Sequence, residues 1–548
     1  MSAAAGLLVA IAGLFFCPIL PDFVAAKAHV AGLLLAALLA VETIRTVRSG
    51  LPPRVPFAAP LFALALAFGA SLLSAPNRHE GTQSLLALGG GMLLAGAIRP
   101  TGRGTRAFFS AVLATALLVS AYGILQRFGI DLPGVRRVYD SARYPVSTFG
   151  NTNYATEFVV PCVAAAAALA GLAPRRIGVG LLLLGPLYAG IAGTRAGMIA
   201  LAVALAFLLA KERRLRLLHL APLALLAAGY LGLRPSAAAP PPAAAAPAPS
   251  AAVPASFEVR WRIARSTLAM LADRPVFGVG AGNFAIAFPI YRDPEEIRIS
   301  TENFTAPFES EVETAHDDPL QLLAETGLAG GAALLFLAVA LARAILRAKG
   351  PAALAASTAL VAVAANSLFR SPLLDNPPTL LLSFGLLPFL APRSATPERS
   401  SPAVRLGGVL SIPLLAIAAY ASARGLAADF ALADAYRSGF TDRAALERAH
   451  RLAPRDGRIS SWLARDLDGR DPRDPARALH LFDLALRLRP NDPAALENRG
   501  ILHAKEGRLE AARADLERAR DLNPLHPRIR ANLEELERLE RDRGSRRG

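Results

Sequence analysis

The chain has 548 residues, of which 53% are hydrophobic and only 19% are charged. A soluble chain of this length needs more charge to cover its surface, and here the apolar residues gather in long runs, so a soluble globular enzyme is excluded. The formal charge of +16 falls largely in the turns between those runs, which makes it a topology signal and argues against a nucleic-acid partner.

In chain order, the apolar runs predict helical spans near 3–20, 28–44, 57–74, 82–98, 107–126, 155–173, 177–194, 196–210, 217–233, 327–342, 351–368, 379–391 and 406–423, thirteen in all. Residues 1–16 contain no Lys or Arg to form the charged region of a secretory signal, so the first run is expected to be retained. Cys17 and Cys162 both lie in apolar runs. Neither a disulfide framework nor a cysteine metal site is expected from them.

Charge in the connections sets the expected orientation. With the N-terminus in the cytoplasm, the even-numbered turns carry Arg45, Arg48 and Arg54; Arg99, Arg103 and Arg106; Arg175 and Arg176; Lys211, Arg213, Arg214 and Arg216; Arg343, Arg347 and Lys349; and Arg393, Arg399 and Arg405. Glu212 and Glu398 are the only acids among them. All six turns obey the positive-inside rule. The expected architecture is therefore an all-α bundle of about twelve or thirteen spans, residues 1–423, in a bacterial inner membrane and in contact with its lipids. A large loop, 235–326, and everything after 423 lie on the periplasmic side. The loop opens on PSAAAPPPAAAAPAPSAAVPA (235–255), a Pro-stiffened spacer with too little side-chain chemistry to pack.

From Arg424 the composition turns charged and rich in Ala and Leu. LALRLRPNDP (484–493) and RARDLNPLHP (518–527) align with Pro490 and Pro524, and Pro493 and Pro527, each 34 residues apart. ERAHRLAPRD (447–456) is a looser upstream copy. A 34-residue helix–turn–helix unit closed by Pro resembles the tetratricopeptide repeat. Residues 494–506 and 509–522 then form one unit with Gly507 at the turn, and 527–541 a capping helix. After 423 there are 26 basic and 22 acidic residues, the near-balance expected of solvated helix faces. Residues 424–548 read as an α-solenoid appendage that binds a protein partner or only stabilises. Its removal is expected to leave the membrane domain able to act.

Four patterns sit in or beside the expected outer loops: STFGNTNYAT (147–156), AGTRAG (192–197), FEVRWRIARSTLAMLADRPVFGVGAGNF (257–284) and ETAHDDPLQLLAETGLAGG (313–331). In this order and on these spans they resemble the O-antigen ligase and polymerase superfamily of membrane glycan transferases. The resemblance covers 147–331. The first 130 residues share only hydropathy with it. Two departures stand out: Asp317 where the family has Asn, and Pro319 at a position often aromatic.

The resemblance implies transfer of a glycan from an undecaprenyl-pyrophosphate carrier to a hydroxyl on the periplasmic face, with lipid A core, a growing glycan chain or a protein as acceptor. A pyrophosphate leaving group calls for fixed positive charge, which Arg supplies in a planar fork. Arg195, at a span end beside Gly193, Thr194 and Gly197, is one candidate, unless it merely snorkels to the interface. Arg260 is the second, at the position where the family places another phosphate-binding Arg; its neighbours Arg262 and Arg265 also fit solvated helix charges. A general base poised to take the acceptor proton is most often His. Of eight His, His316 alone lies in the large loop, flanked by Glu313, Asp317 and Asp318. Asn151, Asn153 and Tyr154 line the glycan or pyrophosphate site, or Asn153 and Thr152 cap the sixth span. Asp317 and Asp318 are candidate substrate contacts. Gly278, Gly280 and Gly282 do not follow a strand and so are not a dinucleotide fingerprint. With no carboxylate cluster at metal-ligand spacing, the transfer is expected to need neither metal nor cofactor. Two rivals belong to other classes: a transporter, which calls for polar or broken helices at mid-membrane, and a scaffold for the repeats, which gives the Arg/Arg/His set no purpose.

Overall fold

The computed structural model describes residues 1–17, 20, 23–132, 144–168, 174–212, 217–233, 252–301, 311–391, 400–440, 442–470 and 474–545. Most of the Pro/Ala spacer, and the turn residues Arg213, Arg214, Arg216, Arg393, Glu398 and Arg399, lie outside these. The described residues are helical, with no strand among them. Each of the thirteen apolar runs is a helix: α1 (Ser2–Leu14), α2 (Phe23–Ser49), α3 (Ala58–Ser71), α4 (Arg78–Ala97), α5 (Gly102–Arg127), α6 (Thr152–Ala168), α7 (Arg175–Ala192), α8 (Arg195–Lys211) and α9 (Leu217–Ala228, continued by a π turn to Leu233), then α13 (Asp318–Arg347), α14 (Pro351–Ser367), α15 (Pro377–Leu386) and α16 (Pro402–Arg437). Between α9 and α13 lie α10 (Ala252–Asp273), α11 (Phe284–Ala287) and α12 (Pro294–Ser300). Among the described residues, five helices, α2, α5, α7, α13 and α16, are long and apolar enough to cross a membrane by themselves. The chain is an all-helical multi-pass membrane protein.

The bundle is apolar both within and without. α6 is buried along nearly its whole length and forms the centre, with α5, α7, α8 and α14 packed around it. Leu406, Leu410, Leu414 and Ile417 of α16, and Leu328, Leu335 and Phe336 of α13, stay exposed. Rows of large apolar side chains facing outward suit lipid and not water. The helix ends sort into two faces. One collects the basic turns: Ser2 bonds the Arg99 carbonyl at 2.6 Å, Arg45 and Arg99 share Glu42, and Lys211 reaches the Leu346 carbonyl. The other face carries the α9–α13 connection and the N-termini of α4, α6, α8, α13 and α15.

α13 is broken where its apolar run begins. Gly327 has φ 65° and ψ −164°, so the apolar helix proper starts at Leu328, close to where hydropathy predicts. α16 does not stop at 423. It runs unbroken to Arg437 and pairs with α17 (Arg443–Leu452). α18 (Gly457–Arg470) with α19 (Pro475–Leu488) and α20 (Pro493–Lys505) with α21 (Leu509–Leu522) follow as packed pairs, and α22 (Pro527–Ser545) closes the array. Gly507, at φ 72°, makes the turn inside the α20–α21 pair.

Candidate functional site

Much of the motif sequence on this second face builds a frame. The D-R-P-V-F-G-V-G segment wedges into the break of α13. Val279 N–H donates to the Ala324 carbonyl at 3.0 Å, Gly280 N–H to Glu325 at 2.8 Å and Leu328 N–H to Pro275 at 2.7 Å. A Cβ on Gly278 would fall on the Glu325 backbone, and one on Gly327 on Val276. Both glycines also hold positive φ, so no other residue fits either place. Glu325 ties the frame together, accepting from Gly282 N–H at 2.8 Å and from Gln321 Nε2 at 3.1 Å. Asn283 exchanges two hydrogen bonds with the Asn77 backbone. The glycine run and the E-T-G triplet are thus packing devices.

The first motif is divided in the same way. Thr148 Oγ1 donates to the Gly13 carbonyl at 2.8 Å, and Lys27 bonds the last carbonyls of α1 while lying over the Phe149 ring. Asn151 caps α6, its Oδ1 accepting from Asn153 N–H at 2.8 Å. The Asn153 side chain is half-buried. Tyr154 donates its hydroxyl proton to Asp375. The acidic pair after His316 is bound into the frame too. Asp317 caps α13 through Leu320 N–H, 2.8 Å. Asp318, 5% exposed, accepts from Ser367 Oγ at 2.8 Å and from the amides of Leu373 and Leu374. These bonds fix the α14–α15 turn beside His316.

Within that frame the cations converge. Arg195 is the first residue of α8 and is exposed. It follows Gly193, whose left-handed conformation ends α7, and Thr194, which bonds Thr156 of α6 at 3.0 Å. Arg260 projects from α10 toward the α14–α15 turn, its Nη1 3.5 Å from the Phe369 carbonyl. Desolvation, then the charges of Arg370 and Arg195, lower the pKa of Arg260. Burial, then the charges of Arg370 and Arg260, push His316 down to about 4, so its ring is neutral at physiological pH. His316 holds φ 55°, a strained conformation for a non-glycine residue. Its Nδ1 faces Thr314 Oγ1 at 3.2 Å, leaving Nε2 for a substrate.

Arg370 is the residue that sequence reading missed. It is 9% exposed and its Nε bonds Glu157 at 3.2 Å. Glu157 also accepts from Asn376 Nδ2 at 3.0 Å, and Asn376 reaches the Tyr154 carbonyl as well. Asp375 completes the set. Burial, then the charges of Glu157 and Glu313, push it up to about 7 against the opposing effects of Tyr154 and Arg370. Of the residues singled out from sequence, Arg260, His316 and Tyr154 therefore meet around Arg370, with Arg195 beside Arg260, whereas Asn151, Asp317 and Asp318 support the frame. Such a cluster of guanidinium groups, beside N-termini of α6 and α8, is suited to a polyanion. Among the described residues no group of three or more His, Cys, Asp or Glu is arranged to hold a metal ion.

Residues 178–335 match the model of a family described as O-antigen ligase. The matched stretch runs from α7 into α13 and holds Arg195, Arg260 and His316, while Tyr154, Arg370 and Asp375 lie beyond it. No curated protein matches the chain. The family match and the apolar helices together support a membrane protein that acts in glycan transfer.

Proposed function

We propose that the chain transfers a glycan from an undecaprenyl-pyrophosphate carrier to an acceptor hydroxyl at the periplasmic face of a bacterial inner membrane, with an O-antigen ligase-like chemistry. In this reading the N-terminus is cytoplasmic, residues 1–423 form the membrane domain, and 424–548 form a periplasmic array of tetratricopeptide type. The acceptor is lipid A core, a growing glycan or a protein. The observation that carries the proposal is the meeting of Arg260 and Arg370 beside a neutral His316, with Arg195 next to Arg260.

The pyrophosphate lies against the three guanidinium groups, whose charge does not titrate away. The acceptor O–H loses its proton to His316 Nε2 as its oxygen attacks the anomeric carbon. The bond from that carbon to the pyrophosphate oxygen breaks, and the lipid pyrophosphate leaves as an anion held by the same arginines. Donor binding also prepares the base. The negative charge of pyrophosphate offsets Arg370 and Arg260, which raises the basicity of His316 when it is needed.

The test uses purified full-length protein in detergent with lipid-linked donor, following donor binding and transfer separately. His316→Asn keeps a residue that tolerates positive φ. Donor binding is expected to persist while the rate falls roughly a hundred- to ten-thousandfold, the usual contribution of a general base. Transfer at the wild-type rate would remove His316 from the mechanism and leave Asp375 as the base.

A further inference from the structure

The repeats dock on part of the α9–α13 connection. Arg489 pairs with Glu311 at 2.7 Å and Arg458 with Glu313 at 3.1 Å. They leave one face of α10 bare, and that face is apolar. Phe257, Trp261 and Leu268 are 77%, 62% and 52% exposed. At 3.6 residues per turn these three fall on one stripe with Ala264 and Ala272, in the pattern i, i+4, i+7, i+11, i+15. The other side of the helix is firmly packed. Ile263 and Met270 are buried in a core with Phe284, Phe288 and Ala324, and Arg262 is tied to Asp293 of the α12 start at 3.0 Å. A well-seated helix that shows a row of large apolar side chains outward is built to meet something.

Continuity identifies what it meets. α10 leads into Pro275, whose carbonyl accepts from the N–H of Leu328, the first residue of the apolar run of α13. Ser74, just past the end of α3, donates from Oγ to the Gly278 carbonyl at 2.8 Å. The C-terminal end of α10 is thus pinned where the apolar stretches of α3 and α13 end and begin. Leu73, Val276, Phe277 and Leu328 are all exposed there. They lead from the stripe to the outward row of Leu335 and Phe336, the surface suited to lipid.

The residue types agree with that setting. Arg260 falls on one border of the stripe and Arg265, also exposed, on the other. Arg274 stands half exposed at the end of the helix. Trp, Phe and Leu on one face with arginines at its edges suit the boundary between acyl chains and phosphate headgroups. We propose that α10 is an interfacial helix lying on the bilayer, with Phe257, Trp261 and Leu268 inserted at the acyl boundary and Arg265 at the lipid phosphates. Its purpose rests on the glycan-transfer reading above. Arg260 directly precedes Trp261, so anchoring the stripe sets that guanidinium at the depth where the pyrophosphate of a lipid-linked donor lies.

The experiment uses the full-length protein in nanodiscs of phosphatidylglycerol and phosphatidylcholine and reads tryptophan fluorescence. Trp462, in the repeats, is the only other tryptophan, so Trp462→Phe leaves Trp261 as sole reporter. A nitroxide on the headgroup or high on the acyl chain should quench Trp261 by about half or more, and one at the chain end far less, as expected of a side chain roughly 5–10 Å into the boundary. The protein with both tryptophans should show the same order of depths, so the test does not depend on that variant folding. Quenching of Trp261 by aqueous acrylamide but by no labelled lipid overturns the proposal. Shielding from both overturns it too, since a protein would then cover the stripe. The Phe257→Ser/Leu268→Ser double variant should move Trp261 toward water and raise the KM for lipid-linked donor roughly tenfold, with kcat unchanged. Binding of inorganic pyrophosphate, which needs no bilayer, should stay as it is. An unaltered donor KM with Trp261 in water would overturn the positioning of Arg260. Lipid quenching in a protein that transfers nothing would sink the transfer reading and leave the interfacial helix standing.

Discussion

Several ion pairs of the C-terminal helix pairs are open to solvent. Lys505 meets Asp468 at 2.8 Å with the lysine half exposed, and Arg477 meets Glu447 at 2.9 Å under similar conditions. In the layer beside His316 one ion pair is enclosed: the Arg370 side chain is 11% exposed and its partner Glu157 2%. The first arrangement contributes at most about 1 kcal/mol per pair and tolerates substitution. The second is costly to desolvate and weak as a source of stability, so its presence points to use. The comparison separates a region where charge keeps helices soluble from one where charge is stored for a ligand.

Breaking the enclosed pair should give the largest effect on the fold. Arg370→Ala leaves Glu157 buried and unpaired, which is expected to destabilise the protein by about 3–5 kcal/mol. Thermal unfolding in detergent should show it, and an unchanged midpoint would mean that water already reaches Glu157.

A pH profile sharpens the comparison further. The acid limb of kcat/KM reports the base in the free enzyme. With His316 lowered to about 4 by burial and its arginine neighbours, the rate should hold from neutral pH down to that region and then fall. The limb of kcat should lie higher, because bound pyrophosphate offsets those arginines. A kcat/KM limb near 7 would instead identify Asp375, which burial pushes up to about 7.

The smallest effect belongs to the exposed pairs. Arg458 and Glu313, 39% and 61% exposed, should contribute under about 1 kcal/mol. Arg458→Glu is expected to change the acceptor KM by no more than about fivefold, with recovery in the Arg458→Glu/Glu313→Arg double variant. A loss of activity of a hundredfold would show that this contact governs His316 directly.

The two regions were not equally legible. Proline spacing of 34 residues placed α20 and α21 within a residue, because a repeat displays its register locally. The apolar runs placed the membrane helices for the same reason, and even the short run around 379–391 proved to be α15. What the sequence hid was distant pairing. Arg370 sits in S-L-F-R-S-P, where it reads as an interfacial turn; its partner Glu157 is 213 residues away. Arg195, Arg260 and His316 were found through a resemblance of motifs. The same patterns also drew attention to Asp317 and Asp318, whose hydrogen bonds go to Leu320, Ser367, Leu373 and Leu374. Capping and ligand-holding carboxylates look alike in one dimension. The docking of the repeats on Glu311 and Glu313 carried no signal either, since single charges on a solvated helix have no periodicity.

The central claim is that Arg370 belongs to the donor site and is not merely a buried ion-pair member. The most direct measurement is the affinity of purified full-length protein for the lipid-pyrophosphate donor in the Arg370→Gln/Glu157→Gln double variant. That variant removes both charges and keeps the Asn376 hydrogen bond. The fold should survive, and Kd should rise about ten- to hundredfold, the weight of one charge-assisted hydrogen bond to phosphate. An intact double variant that binds donor as tightly as the wild type would contradict the account.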